Sequence, residues 1–141
     1  MALVSGAASG IGAAVAARLE REGATVVRGD LVETDGGVLC DVSDAHSCAE
    51  AVHAVVSEHG GLHVLANVAG IGFSRRIGDV TPEEWRRVID VNLTGTFLLS
   101  QAALPPLREA QGVIVNMASV AGLRATPYNA AYCASKGGSS C

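Results

Sequence analysis

Lys136 is the only lysine in the chain, and it stands four residues after Tyr132. Every other long-chain cation is an arginine. Residues at i and i+4 share one face of a helix. Tyr132-Cys133-Ala134-Ser135-Lys136 would therefore aim a phenol and an ammonium at the same point. A nearby cation favours the phenolate. Such a tyrosine can exchange a proton with a substrate oxygen near neutral pH. Taken alone, the pair describes an ordinary helix surface, so its meaning depends on the rest of the chain.

A second candidate is Ser5-Gly6-Ala7-Ala8-Ser9-Gly10-Ile11-Gly12. It follows a short apolar run at 2–4 and opens a helical pattern, the setting in which a glycine motif carries meaning. Backbone amides at a helix start suit a diphosphate, and glycine lets that backbone come close. The spacing is GxxxGxG and not GxGxxG. Asp30 lies 18 residues after Gly12. A carboxylate at the end of the second strand can accept the ribose hydroxyls of an adenosine, and it would repel a 2′-phosphate. With Ser9 beside the glycines and Leu31 after Asp30, this points to NAD rather than NADP, although Arg28 stands close by. Asp41 and Val42 follow a third apolar run. The Asp41 carboxylate could meet an adenine amino group or cap the region around Asp44, and the sequence leaves both open.

Strand and helix signals alternate behind these residues. Apolar runs at 2–4, 24–27, 37–40, 62–66 and 112–117 read as strands. Ile11, Val15 and Leu19 mark one helical face, and Cys48, Val52, Val55 and Val56 mark another that Gly60-Gly61 ends. Thr81-Pro82-Glu83-Glu84 is a helix start, with a cap, a proline at the first position and two acids in the first turn. Residues 93–107 read as a further helix that Pro105-Pro106 must kink or shorten. Apolar strands alternating with helices predict an α/β fold, a doubly wound parallel sheet of the Rossmann type with strand order 3-2-1-4-5.

With 141 residues, 49% hydrophobic and 17% charged, the chain fits a single domain, 1–141, and argues against disorder. A net charge of −4 without a basic run speaks against nucleic acid or an anionic membrane as partner. No apolar run reaches the ~18 residues of a membrane span. Residues 1–17 lack a basic segment and are broken by glycines, so they do not read as a signal peptide. Cys40, Cys48, Cys133 and Cys141 form no CxxC pair and read as reduced thiols of a cytoplasmic protein. His46, His53, His59 and His63 read as solvated surface, with no metal site.

Together these residues make the chain resemble the short-chain dehydrogenase/reductase family. Ser5-Gly6 through Gly12 is similar to that family's TGxxxGIG, and Asn67-Val68-Ala69-Gly70 to its NNAG. Asn92, in Asp90-Val91-Asn92-Leu93-Thr94-Gly95, matches its active-site asparagine. Ser119 matches its catalytic serine, 13 residues before Tyr132. Tyr128 is not an alternative, because its i+4 residue is Tyr132 and not a cation.

The resemblance implies an NAD-dependent oxidoreductase acting on a small alcohol or carbonyl substrate. In it Tyr132 is the acid/base, Ser119 bonds the substrate oxygen, Lys136 lowers the tyrosine pKa and holds the nicotinamide ribose, and Asn92 holds a water linking Lys136 to solvent. Cofactor contacts are implied at Gly6, Ser9, Gly10, Ile11, Gly12, Asp30, Asp41, Val42, Asn67, Ala69, Gly70, Tyr132 and Lys136. Family members are usually homo-oligomers. They continue beyond the Tyr-Lys pair with two more strands, a substrate-covering lobe and much of the subunit interface. The expectation is therefore a truncated Rossmann domain lacking the last two strands. Its 112–117 strand would lie at the edge, and its Tyr-Lys helix would fray at Gly137-Gly138. The competing reading is a nucleotide-binding module that keeps the adenosine site with little turnover. A Rossmann-like methyltransferase has no need of the Ser-Tyr-Lys spacing.

Overall fold

A computed structural model describes residues 1–139; the reading of Cys141 as a thiol lies outside the described residues. The elements run β1 (Ala2–Ser5), α1 (Gly10–Arg21), β2 (Val26–Asp30), β3 (Val38–Leu39), α2 (Ala45–His59), β4 (Val64–Asn67), α3 (Pro82–Ile89), α4 (Gly95–Glu109), β5 (Val113–Asn116) and α5 (Ala130–Gly138). Every strand pairing is parallel, in the order β3-β2-β1-β4-β5. This is the sheet expected from the sequence, with shifted strand ends. Arg28-Gly29-Asp30 belongs to β2, which thus runs beyond the apolar 24–27 segment: Gly29 pairs with Ser5 on one side and Val38 on the other. A Cβ on Gly29 would sit 3.3 Å from Cys40 Cβ, so the glycine serves close approach.

All four residues of β1 are buried, because a central parallel strand is covered on both faces. Successive side chains point to opposite faces. Leu3 and Leu65 join the larger core under α2 and α4, while Val4 and Ala66 pack with Ala7 and Ala16 under α1. Leu99, Ala103 and Leu107, spaced by four, are the buried stripe of α4. That stripe carries α4 through Pro105 and Pro106 to Glu109, so the prolines do not shorten the helix. Proline's fixed φ suits a helix; its cost is a lost hydrogen bond and a clash one turn back, which the buried stripe offsets. β5 is the outer strand, with Val113 and Val115 more than half exposed.

Among the described residues two of the α-helices have side-chain caps. Asp44 accepts from His46 N and Ser47 N at the start of α2. Thr81 and Glu84 form a reciprocal capping box on α3. Asp41 does not cap α2; its Oδ1 accepts from Ser43 N and Ser43 Oγ. α5 keeps Gly137 and Gly138 in the helix. A Cβ on Gly138 would meet Leu93 Cδ1 at 2.8 Å, and one on Gly122 would meet Lys136 O at 2.5 Å. The missing side chains let α5 dock closely, which outweighs the poor helix propensity of Gly138. All four histidines are exposed. Among the described residues no acid, Cys and His group forms a metal-ligand cluster, and no helix is long and apolar enough to cross a membrane.

Candidate active site

The turn between β1 and α1 is built on backbone contact. Gly6 has φ +66°, and a Cβ there would lie 2.7 Å from Ala69 Cα. A Cβ on Gly12 would overlap the Gly6 carbonyl oxygen. Ser5 fastens the same corner: its buried Oγ accepts from Val68 N at 3.0 Å and Ala69 N at 3.1 Å. Sequence reading saw Ser5 only as a motif letter; its partners lie 63 and 64 residues away. Unlike α2 and α3, α1 has no side-chain cap at Ser9. The first N–H groups of that 12-residue helix are thus left to whatever binds there.

A cleft of about 510 Å³ starts at this turn. Gly6, Ser9, Gly10, Ile11 and Gly12 line one wall, and Asp30, Leu31, Cys40, Asp41 and Val42 close one end. Ile11, which begins the apolar helical face of α1 and is among the expected cofactor contacts, is 63% exposed and lines the cleft. Asp30 ends β2 and turns toward the glycine turn: its Oδ2 accepts from Ala8 N at 2.9 Å and its Oδ1 from Leu31 N at 2.7 Å. The hydrogen bond with Cys48 and burial push the Cys40 thiol well above its ordinary range.

Ala69, Gly70, Ile71, Gly72, Met117, Tyr132 and Lys136 line the cleft elsewhere. Tyr132 and Lys136 lie on α5 as their spacing predicts, with the Lys136 Nζ 6.0 Å from the centre of the phenol ring. Lys136 is 4% exposed and its Nζ donates to Met117 O at 2.7 Å. Met117 N in turn bonds Asn67 O, so the chain leaving β5 is tied to β4. Ser119 is half-buried just beyond; its Oγ accepts from Ala121 N at 3.2 Å and starts a 3-10 turn, Val120–Gly122, which packs on α5 through Gly122. That bond occupies an oxygen lone pair and leaves the hydroxyl proton to donate.

Asn92 does not line the cleft; it lies fully buried behind it. It sits in a π-helical turn, Asp90–Thr94, that joins α3 to α4. Such turns are inserted where an α-helix is locally widened, frequently at functional sites. The Asn92 amide grips Ile71 twice: Oδ1 accepts from Ile71 N at 2.7 Å and Nδ2 donates to Ile71 O at 2.8 Å. Its second Nδ2 proton goes to Ser135 Oγ at 3.0 Å. Ser135 Oγ donates in turn to Tyr132 O at 2.8 Å. Ser135, absent from the sequence-derived site, is thereby the link between Asn92 and the helix that carries the phenol. Its only sequence signal is its position between Tyr132 and Lys136 on a buried helix face. Asn67 is likewise set back from the cleft; its Nδ2 donates to Ser100 Oγ and Asn116 Oδ1, both at 2.9 Å, and binds β4, α4 and β5 together.

Burial holds the Lys136 amine below its ordinary value of 10.5. Between the folded and unfolded values the unfolded chain binds more protons, so stability rises with pH across that interval. Below the folded value both states are protonated and the burial penalty is fully present. Lys136→Met is therefore expected to flatten the upward slope of unfolding free energy in the window ending at 10.5. Urea titrations of both proteins at several alkaline pH values test this, and parallel curves would refute it.

The family described as short chain dehydrogenase matches residues 1–140. The chain is 40% identical to the trans-4-hydroxycyclohexanecarboxylate dehydrogenase of Sinomonas cyclohexanicum, over 98% of this chain and 61% of that protein. It is 40% identical to the 3-alpha-(or 20-beta)-hydroxysteroid dehydrogenase of Mycobacterium tuberculosis, over 96% of this chain and 57% of that one. The crystal structure of a short chain dehydrogenase from Mycobacterium smegmatis superposes with a TM-score of 0.92 at 36% identity, covering 98% of this chain and 65% of its own. The chain belongs to the short chain dehydrogenase family. It spans roughly three fifths of the curated relatives it matches.

Proposed function

We propose that this chain carries the cofactor site and the reacting residues of an oxidoreductase that moves a hydride between NAD(H) and a secondary alcohol or ketone. The observation that carries the reading is one continuous cleft, running from Asp30 past the uncapped start of α1 to Tyr132 and Lys136. The donor set fits a dinucleotide. The open N–H groups of α1 suit its diphosphate, the glycine contacts bring backbone close to it, and Asp30 offers a carboxylate at the strand end where a ribose sits. Asp41 and Val42 would flank the adenine. NAD is preferred over NADP because a 2′-phosphate would meet the Asp30 charge.

When bound, the nicotinamide supplies the hydride donor or acceptor. Tyr132 gives its phenol proton to the substrate carbonyl oxygen in reduction and takes the alcohol proton in oxidation. Ser119 donates a hydrogen bond to the same oxygen. Lys136 places its positive charge beside the phenolate left after proton transfer. Asn92 works from behind, holding Ile71 and, through Ser135, the helix of Tyr132. The names of both relatives include a ring hydroxyl, on a cyclohexane in one and at the 3-alpha position of a steroid in the other, which makes ring alcohols the substrates to try first. The three described cysteines are unpaired, in keeping with a cytoplasmic protein.

Asp30→Ala is expected to shrink the preference for NAD over NADP about tenfold, the worth of one hydrogen bond to a charged group. Fluorescence titration with NADH and NADPH measures both constants, and an unchanged ratio would remove Asp30 from the site. Turnover itself is assayed in the complete reading frame that contains residues 1–141, with a panel of cyclic secondary alcohols and NAD. Absence of NAD reduction by every member would refute the proposed reaction.

A further inference from the structure

Gly72 follows Gly70 and Ile71 in the chain leaving β4, and it lines the cleft. It is not among the glycines with positive φ, so its backbone accepts a side chain without strain. The obstacle is the Tyr132 ring. A Cβ at position 72 would lie 3.0 Å from Tyr132 Cδ2, 3.5 Å from Cγ and 3.6 Å from Cε2. The phenol therefore rests against bare backbone.

Neither side of that contact is free to withdraw. Ile71, the preceding residue, is held at both its N–H and its carbonyl by the Asn92 amide. The helix carrying Tyr132 is held through Ser135, which the same amide also bonds. Asn92 thus secures both the backbone floor and the helix above it. Turning the ring about its own axis would leave both Cγ and the hydroxyl in place, so an added methyl group at 72 displaces the hydroxyl by swinging the whole side chain about its Cα–Cβ bond.

We infer that Gly72 is a positioning residue, whose missing side chain sets where the Tyr132 hydroxyl stands in the cleft. This rests on the reading of Tyr132 as the proton-transferring group. Misplacing a reacting group by about 1 Å can cost on the order of a hundredfold in rate, so a shift of a few tenths should cost about tenfold.

The test uses the complete reading frame with Gly72→Ala, Gly72→Val, Tyr132→Phe and the Gly72→Ala/Tyr132→Phe double variant. Gly78→Ala is the control, since a Cβ there meets nothing within 4 Å. Gly72→Ala is expected to lower kcat about tenfold and Gly72→Val about a hundredfold. The NADH dissociation constant and Tm should stay at parental values. In the Tyr132→Phe background the alanine should cost nothing further, because the hydroxyl it displaces is gone. Gly78→Ala should match the parent. A readout without turnover accompanies this: 3-fluorotyrosine gives a resonance for each tyrosine, those of Tyr128 and Tyr132 being assigned with Tyr128→Phe and Tyr132→Phe. Gly72→Ala should move the Tyr132 resonance and leave that of Tyr128 in place.

Parental kcat in Gly72→Ala, equal losses in both backgrounds, or an unmoved Tyr132 resonance would overturn the inference. Full activity of Tyr132→Phe would instead overturn the acid/base reading, and the resonance would still decide the contact.

Discussion

Tyr132→Phe is expected to lower kcat at least ~100-fold, the usual cost of losing a general acid/base, with cofactor affinity unchanged. The substitution keeps the ring that rests on Gly72 and faces Lys136 Nζ at 6.0 Å, and it removes only the hydroxyl. Helix α5 should be undisturbed, because Ser135 bonds the Tyr132 carbonyl and not the phenol. Steady-state rates with a ring alcohol, beside an NADH titration, separate chemistry from binding. Undiminished turnover would mean that another group moves the proton. A fall in kcat together with lost NADH binding would mean that the hydroxyl is needed to hold the cofactor as well, which the proposed mechanism does not require.

Asn92→Ala is expected to cost roughly 3 kcal/mol of stability, because a truncated amide leaves buried polar partners unsatisfied at about 1–3 kcal/mol each. The Asn92 side chain is fully buried and makes three hydrogen bonds, two to Ile71 and one to Ser135. Alanine is too short for any of them. The denaturant midpoint should fall with little change in slope. A parental midpoint would show that water enters and replaces the amide. Activity should fall as well, since the same bonds secure the Gly72 floor and the helix of Tyr132. A stable but inactive variant would assign Asn92 to the chemistry alone.

Much of the fold was legible because parallel strands and amphipathic helices write their burial into local periodicity. Val4 and Leu3 alternate faces, Leu99, Ala103 and Leu107 recur every turn, and Thr81-Pro82-Glu83-Glu84 spells its own cap. Ile11 shares the period of Val15 and Leu19 yet is exposed, because it borders the cleft and has no packing partner there. Pro105-Pro106 and Gly137-Gly138 carry strong local preferences against helix. Tertiary contacts overrule them, through the buried stripe of α4 and the docking of Gly138 on Leu93.

At the site the division is equally physical. The sequence by itself determined the chemistry of the groups: a phenol and an ammonium one turn apart, glycines at a helix start, and a carboxylate at a strand end. Those signals are short-range, since i to i+4 geometry and turn composition need no knowledge of the fold. Only the tertiary structure decided how the groups are held. Ser5 reaches Val68 and Ala69, Asn92 reaches Ile71 and Ser135, and Gly72 meets Tyr132 across separations of 21 to 64 residues. Such contacts leave no period in the chain, because a single hydrogen bond or a single missing Cβ constrains one residue at each end and nothing between them.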